Sequence, residues 1–218
     1  MSTYQRFTRW ASSGGSTERA AFFSDAVFAI SLTLLAVEIK VPDVDGKELP
    51  AALSEQVPQF LAYVLSFAVI GAYWITHHRL FNLLQRFNGN LLRLNLLVLL
   101  FVALVGYATG VLVEYGDQAT GVITYATLMA AIGLAQTALW IHAWRAGLMT
   151  DELEEDLYEY LRNRSLVVPL VFLLSIPLAL WNADAAKYWW LAILVLDGML
   201  IFVYRTRGTT TRALAENP

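Results

Sequence analysis

Apolar residues gather into six long runs in this chain, near 20–41, 57–76, 94–113, 119–142, 165–181 and 188–204, with a short polar piece between each and the next. A bilayer core takes about 20 apolar residues as a helix, so the pattern predicts six membrane-spanning helices. The breaks, such as 42-PDVDGKELP-50 and 182-NADAAK-187, leave no room for a soluble domain. The fold class read from the pattern is an all-α membrane protein with six transmembrane helices per subunit. Its expected parts are an N-terminal segment at 1–18, a six-helix transmembrane domain at 19–205 and a C-terminal tail at 206–218. The first run is too long for the apolar region of a signal peptide and lacks a small-residue cleavage site, so the first helix is expected to remain in the mature protein.

Within the first run, 19-RAAFFSDAVFAISLTLLAVEIKVP-42, a finer pattern appears. At about 100° per residue, Phe23, Ala26, Leu34, Val37 and Val41 fall within about 40° of Ile30, and Thr33 lies about 60° away. Asp25 falls about 140° from that stripe. The helix thus carries an aliphatic stripe on one side and an aspartate that points elsewhere. An intramembrane charge is costly unless paired or solvated, and His77 and Arg79, at the matching depth of the second helix, are its nearest expected partners. The stripe has two readings: it faces lipid, or it faces copies of itself around a central axis. A threonine among branched aliphatics fits a narrow pore, where its hydroxyl would meet a dehydrated ion.

Composition and charge then narrow the function. The chain is 57% hydrophobic and only 15% charged, with a mean hydropathy of +0.52, which sets it apart from soluble proteins. A net charge of -3, spread through the loops, offers no basic field for nucleic acid. The absence of cysteine excludes disulfides, thiolate metal sites and a cysteine nucleophile. The twelve arginines fall at the N-terminus, in the second and fourth connections and in the tail, whereas the three lysines, Lys40, Lys47 and Lys187, fall on the other side. By the positive-inside rule both termini are expected in the cytoplasm. Trp181, Tyr188, Trp189 and Trp190 then gather at the outer face, where amphipathic rings favour the headgroup layer.

Arg19, Phe23, Ser24 and Asp25 stand as R-x-x-x-F-S-D ahead of 27-VFAISLTLLAVEIKVP-42, and the second helix carries 73-YWITHHRLF-81. Both segments resemble the transmembrane protein 175 family of lysosomal and prokaryotic potassium channels. With six short helices, the resemblance extends over nearly the whole chain. It implies a channel of four copies in a bacterial plasma membrane, with the first helix of each lining the pore. One such helix cannot enclose a path, so self-association is required by geometry too. Carried over by resemblance, Ile30, Leu34 and Val37 form stacked apolar rings at a constriction that sets selectivity, with Thr33 as a polar ring. Val37 stands where leucine is more usual in the family. Arg19, Ser24 and Asp25, with Phe23, Trp74 and His77, form the polar cluster that ties the first helix to its neighbours. The expected function is a potassium-preferring cation channel, with potassium as permeant ion, no cofactor and no fixed metal.

Other features carry less. The string 104-LVGYATG-110 resembles a carbonyl filter only superficially, since no pore helix precedes it; Gly106 and Gly110 are spaced instead as a small-residue packing face. His77 and His78 are adjacent, diverge on a helix and cannot chelate one metal. The stretch 150-TDELEEDLYEYLRNR-164 reads as a solvated helix with an acidic first turn, and it lacks the spacing of a calcium loop. Pro169 and Pro177 are expected to kink the fifth span. The segments 72-AYWITHHR-79 and 138-ALWIHAWR-145 share a pattern that two helix ends with interfacial aromatics explain. Asp197, in 193-ILVLDGMLIF-202, has no partner evident from sequence; the expected role is a buried hydrogen bond to a neighbouring helix, with an intramembrane relay as the second reading. A proton-coupled cation transporter, with Asp25, His77 and Asp197 as relay, is the alternative function. An enzyme finds no motif here: neither G-x-S-x-G nor H-E-x-x-H occurs.

Overall fold

The computed structural model describes residues 17–215; for residue 201 and residues 205–215 the description extends to the helix and not to the side chains. Arg6 and Arg9 lie outside the described residues, as do the side chains of Arg205, Arg207 and Arg212. The described chain is helical, in the order α1 (Thr17–Val37), α2 (Leu49–Glu55), α3 (Val57–Asn82), α4 (Gly89–Ala103), α5 (Val105–Tyr115), α6 (Ala119–Arg145), α7 (Glu155–Trp181), α8 (Ala183–Trp189) and α9 (Ala192–Ala215). Among the described residues six stretches are long and apolar enough to cross a membrane, in agreement with the expected count. The third, Gly89–Tyr115, is made of α4 and α5, which join at Leu104, and the sixth runs through α8 into α9.

Local chemistry sets several of the ends. Asn88 caps α4 by accepting the Leu91 N–H at 2.8 Å, and Asn182 caps α8 by accepting that of Ala185 at 2.8 Å. Prolines open α2 and α3, where a missing N–H costs nothing. Gly147, with φ of 61°, turns the chain after α6 in the left-handed region that favours glycine, and the Leu148 N–H returns to the Ala143 carbonyl at 3.0 Å. That turn brings Leu148 beside the α3–α4 loop. Its carbonyl accepts the N–H groups of Gln85 and Arg86 at 2.9 and 3.1 Å, which joins two arginine-rich connections.

The bundle centres on α6, which packs on α4, α5 and, most extensively, α7. Tyr125, Met129, Trp140 and, from α7, Phe172 are fully buried there. Buried polar groups join the spans: the Thr109 hydroxyl donates to Ser66 Oγ at 2.8 Å, Ser66 and Tyr125 hydroxyls lie 3.1 Å apart, and the Tyr73 hydroxyl donates to the Met129 carbonyl at 2.7 Å. Gly133 is needed for close approach, because a β carbon there would lie 2.7 Å from both Pro169 Cδ and Tyr73 Oη. Pro169 cannot donate to the Ser165 carbonyl, and the Thr137 hydroxyl lies 3.4 Å from that oxygen and 3.0 Å from Ser165 Oγ. A neighbouring helix thereby places a polar side chain beside the group that the proline frees, although the shorter bond of that hydroxyl, 2.9 Å, goes to the Gly133 carbonyl of its own helix.

Three expectations are corrected. Gly106 and Gly110 form no close packing face inside the subunit, since a β carbon at either would meet nothing within 4 Å. Trp190 is not part of an interfacial belt with Trp181 and Tyr188; it is 4% exposed, packs on Tyr125 and Phe172 with ring centroids 5.2 and 5.3 Å apart, and donates from Nε1 to Ser175 Oγ. The core offered this ring a hydrogen-bond acceptor, which removes the usual reason for tryptophan to remain at the interface. The acidic stretch also begins later as a helix: residues 151 and 152 turn, and α7 then runs unbroken from Glu155 through the fifth span.

Candidate functional site: the first span and its anchor

α1 packs on α3, α4 and α5 through Ser24, Phe28, Ser31 and Leu35. These residues recur at intervals of four and three, so they share one face. It is a mixed face, with small serines where neighbouring helices come close. The aliphatic stripe lies elsewhere: Ile30, Leu34 and Val37 are 58%, 53% and 72% exposed on the single subunit, and Phe23 and Thr33 are exposed beside them. The Thr33 hydroxyl donates within its own helix, to the carbonyls of Ala29 and Ile30 at 3.1 and 2.9 Å. With its proton engaged, the oxygen's remaining lone-pair capacity faces away from the helix backbone.

The polar residues of α1 turn toward the bundle. Asp25 Oδ1 accepts the Trp74 Nε1–H at 2.8 Å, so the partner of this carboxylate is Trp74 and not His77 or Arg79, the pair expected from depth alone. His77 binds Asn95 instead. Its Nε2 lies 2.8 Å from Asn95 Oδ1, and Asn95 Nδ2 donates to Ser24 Oγ at 2.9 Å, while the Ser24 hydroxyl reaches the Ala20 carbonyl at 2.8 Å. Ser24, His77 and Asn95 are all buried, one from each of the first three spans. His77 is further clamped between Phe81 and Phe28, with ring centroids 4.4 and 5.4 Å away. Arg19 stands exposed in the first turn of α1, and His78 lies against Trp74 at 5.5 Å, away from His77.

Sequence reading missed Asn95. It lies in the apolar run at 94–113, and a lone amide among leucines was itself the available signal. Sequence reading also gave Asp197 no partner, and the structure supplies one. Arg164 Nε and Nη2 donate to the two oxygens of Asp197 at 2.7 and 2.8 Å, a bidentate pair between α7 and α9. Arg164 lies one residue before the predicted fifth span, which α7 extends. Among the described residues no hydrogen-bonded side chain links Asp197 to Asp25 or His77. The described residues also hold no group of three or more His, Asp or Glu placed to bind a metal.

Comparisons with known proteins cover different shares of the chain. The profile of the family described as the endosomal/lysosomal potassium channel TMEM175 matches residues 19–105. A potassium channel of Streptomyces collinus is 46% identical over 138 residues, which is 61% of this chain and 67% of that channel. The endosomal/lysosomal proton channel TMEM175 of Bos taurus is 47% identical over 96 residues, 40% of this chain and 20% of that protein. In three dimensions the chain superposes, with a TM-score of 0.70 and 28% identity, on the crystal structure of a lysosomal potassium-selective channel TMEM175 homolog from Chamaesiphon minutus, covering 86% of this chain and 97% of the other.

Proposed function

Since the chain belongs to the TMEM175 family, a family of channels and not of enzymes, we propose that it is a potassium-preferring cation channel whose pore is lined by α1 from each of four copies. The observation that carries this reading is the division of α1 into two faces. Its polar residues are engaged by α3 and α4, while Ile30, Leu34 and Val37 are left uncovered on the subunit. Copies of α1 around an axis would cover that stripe and place three apolar rings along a neck. The potassium selectivity named for the bacterial homologue supports the choice of ion.

The mechanism follows from the size and chemistry of such a neck. Apolar rings at narrow separation exclude water and with it ions, and a small rotation or dilation of α1 wets the path. The Asp25–Trp74 bond and the Ser24–Asn95–His77 chain fix the rotation of α1 about its own axis, so they determine which side chains meet the ion. Thr33 contributes the one side-chain oxygen among the rings. Few oxygens favour the ion that dehydrates at lower cost, potassium over sodium, and give a moderate preference. The arginine distribution supports a setting with both termini in the cytoplasm, and the bacterial relative supports a bacterial plasma membrane.

The test is the bi-ionic reversal potential of the purified protein in a planar bilayer, potassium on one side and sodium on the other. The reading expects unitary currents that reverse toward the potassium potential and persist when the proton gradient is collapsed. Absence of unitary current, with slow flux in liposomes that requires a proton gradient, would replace the channel with a proton-coupled transporter.

A further inference from the structure

A cleft of about 1,090 Å³ opens between α3 and α9, with α6 and α7 behind it. Along most of its length the walls are aliphatic, among them Leu61, Leu65, Ala68, Ala72, Val168 and Leu194. In a bilayer such walls require no dedicated ligand, because acyl chains already surround them. Both ends are polar: Glu114, Asp117 and Lys187 line the outer one, where Lys187 pairs with Asp184 at 2.8 Å, and the end near the arginine-rich connections differs in its arginines. There Thr76 and Arg79 of α3 line the cleft together with Arg164 and Asp197, and Gln136 of α6 contributes to its wall.

One group at this end lacks a match. Arg164 is neutralised by Asp197, but Arg79 is exposed and has neither a carboxylate partner nor a hydrogen bond among the described residues. Gln136, also in the wall, is 1% exposed and bonded to the Tyr73 carbonyl at 2.8 Å, six residues deeper along α3 than Arg79, so it stays within the protein. The inner end of the cleft therefore calls for a negative charge, followed by apolar chains that continue outward. Thr76 adds a hydroxyl oxygen whose proton is already given to the Ala72 carbonyl at 3.0 Å.

We propose that this cleft holds one anionic phospholipid, with its phosphate against Arg79 and its acyl chains along α3 and α9. A phosphoglycerol headgroup brings that charge. Anionic lipid is attracted to basic residues at the membrane face, and basic pockets between spans are where such headgroups lodge. A second copy of the chain would have to deliver a carboxylate to Arg79 at the same depth, whereas the lipid is already present there. The inference rests on the membrane fold and not on the channel reading.

The test is native mass spectrometry of the purified full chain, in its assembled form, with phosphatidylglycerol and phosphatidylcholine at equal concentration. We expect retained phosphatidylglycerol, about one per chain, at about five-fold preference, the scale set by one basic residue at a membrane surface. Arg79→Gln should abolish the preference, and Arg86→Gln, in the α3–α4 loop outside the cleft, should keep it. Ala72→Trp, which narrows the cleft and leaves Arg79 in place, should lower retention of the lipid with assembly intact. The proposal is overturned if the intact protein shows no preference, if both arginine variants lose it equally, or if Ala72→Trp dissociates the assembly while lipid retention is unchanged. The last result would assign the cleft to a neighbouring subunit.

Discussion

The first and fourth spans are both long and apolar, yet they treat their apolar residues in opposite ways. In the fourth, 56% of the most apolar window is buried within the subunit; in the first the share is 28%. α6 surrounds itself with neighbours, with Met129, Ile132 and Leu139 fully enclosed. α1 buries Ser24, Phe28, Ser31 and Leu35 and leaves its aliphatic stripe uncovered. Apolar character alone therefore does not identify a core in a membrane, where lipid is as apolar as leucine. The informative residues are the small and polar ones, because they are drawn to protein and away from lipid.

That contrast predicts different outcomes for one substitution on the two helices. Met129→Asn would place an amide in a fully enclosed site; it should cost roughly 3–5 kcal/mol through lost packing and an unmatched polar group, and little folded protein should elute in size-exclusion chromatography. Asn95→Leu should cost about 1–3 kcal/mol, at the scale of two interhelical hydrogen bonds in a membrane. It should lower the thermal unfolding midpoint and, by loosening the rotation of α1, also broaden the distribution of unitary currents. Leu34→Asn should leave thermal stability close to that of the parent. Removing on the order of 1 kcal/mol from a dewetted barrier would raise unitary current about five-fold, together with a weaker preference for potassium. Asp197→Asn leaves an amide oxygen that still accepts from Arg164 but removes the counter-charge of that guanidinium; currents that persist in this variant without a proton gradient would separate Asp197 from ion coupling.

Much of this was legible in the chain beforehand, for identifiable reasons. Six spans follow from run length, since a helix that crosses a bilayer must satisfy its backbone internally. The two faces of α1 follow from its 3.6-residue period. What sequence could not supply were the partners across helices. Asp25 meets Trp74 and not His77 because the indole N–H lies on the face of α3 that turns toward α1, while His77 is taken by Asn95. Asp197 meets Arg164 because α7 begins at Glu155, ten residues before the apolar run, and carries the guanidinium in an ordered helix. Trp190 enters the core because Ser175 is there to accept its N–H. Each of these depends on which helix faces which, and hydropathy along one chain contains no such information.

The central claim is that the exposed face of α1 borders the ion path and the serine-bearing face does not. The chain has no cysteine, so single cysteines can be introduced without a background to remove. The decisive measurement is block of unitary current by a charged methanethiosulfonate reagent at each position from 28 to 37. Block is expected at Ile30→Cys, Leu34→Cys and Val37→Cys and none at Phe28→Cys, Ser31→Cys or Leu35→Cys. Block at the second set, or at neither, would contradict it.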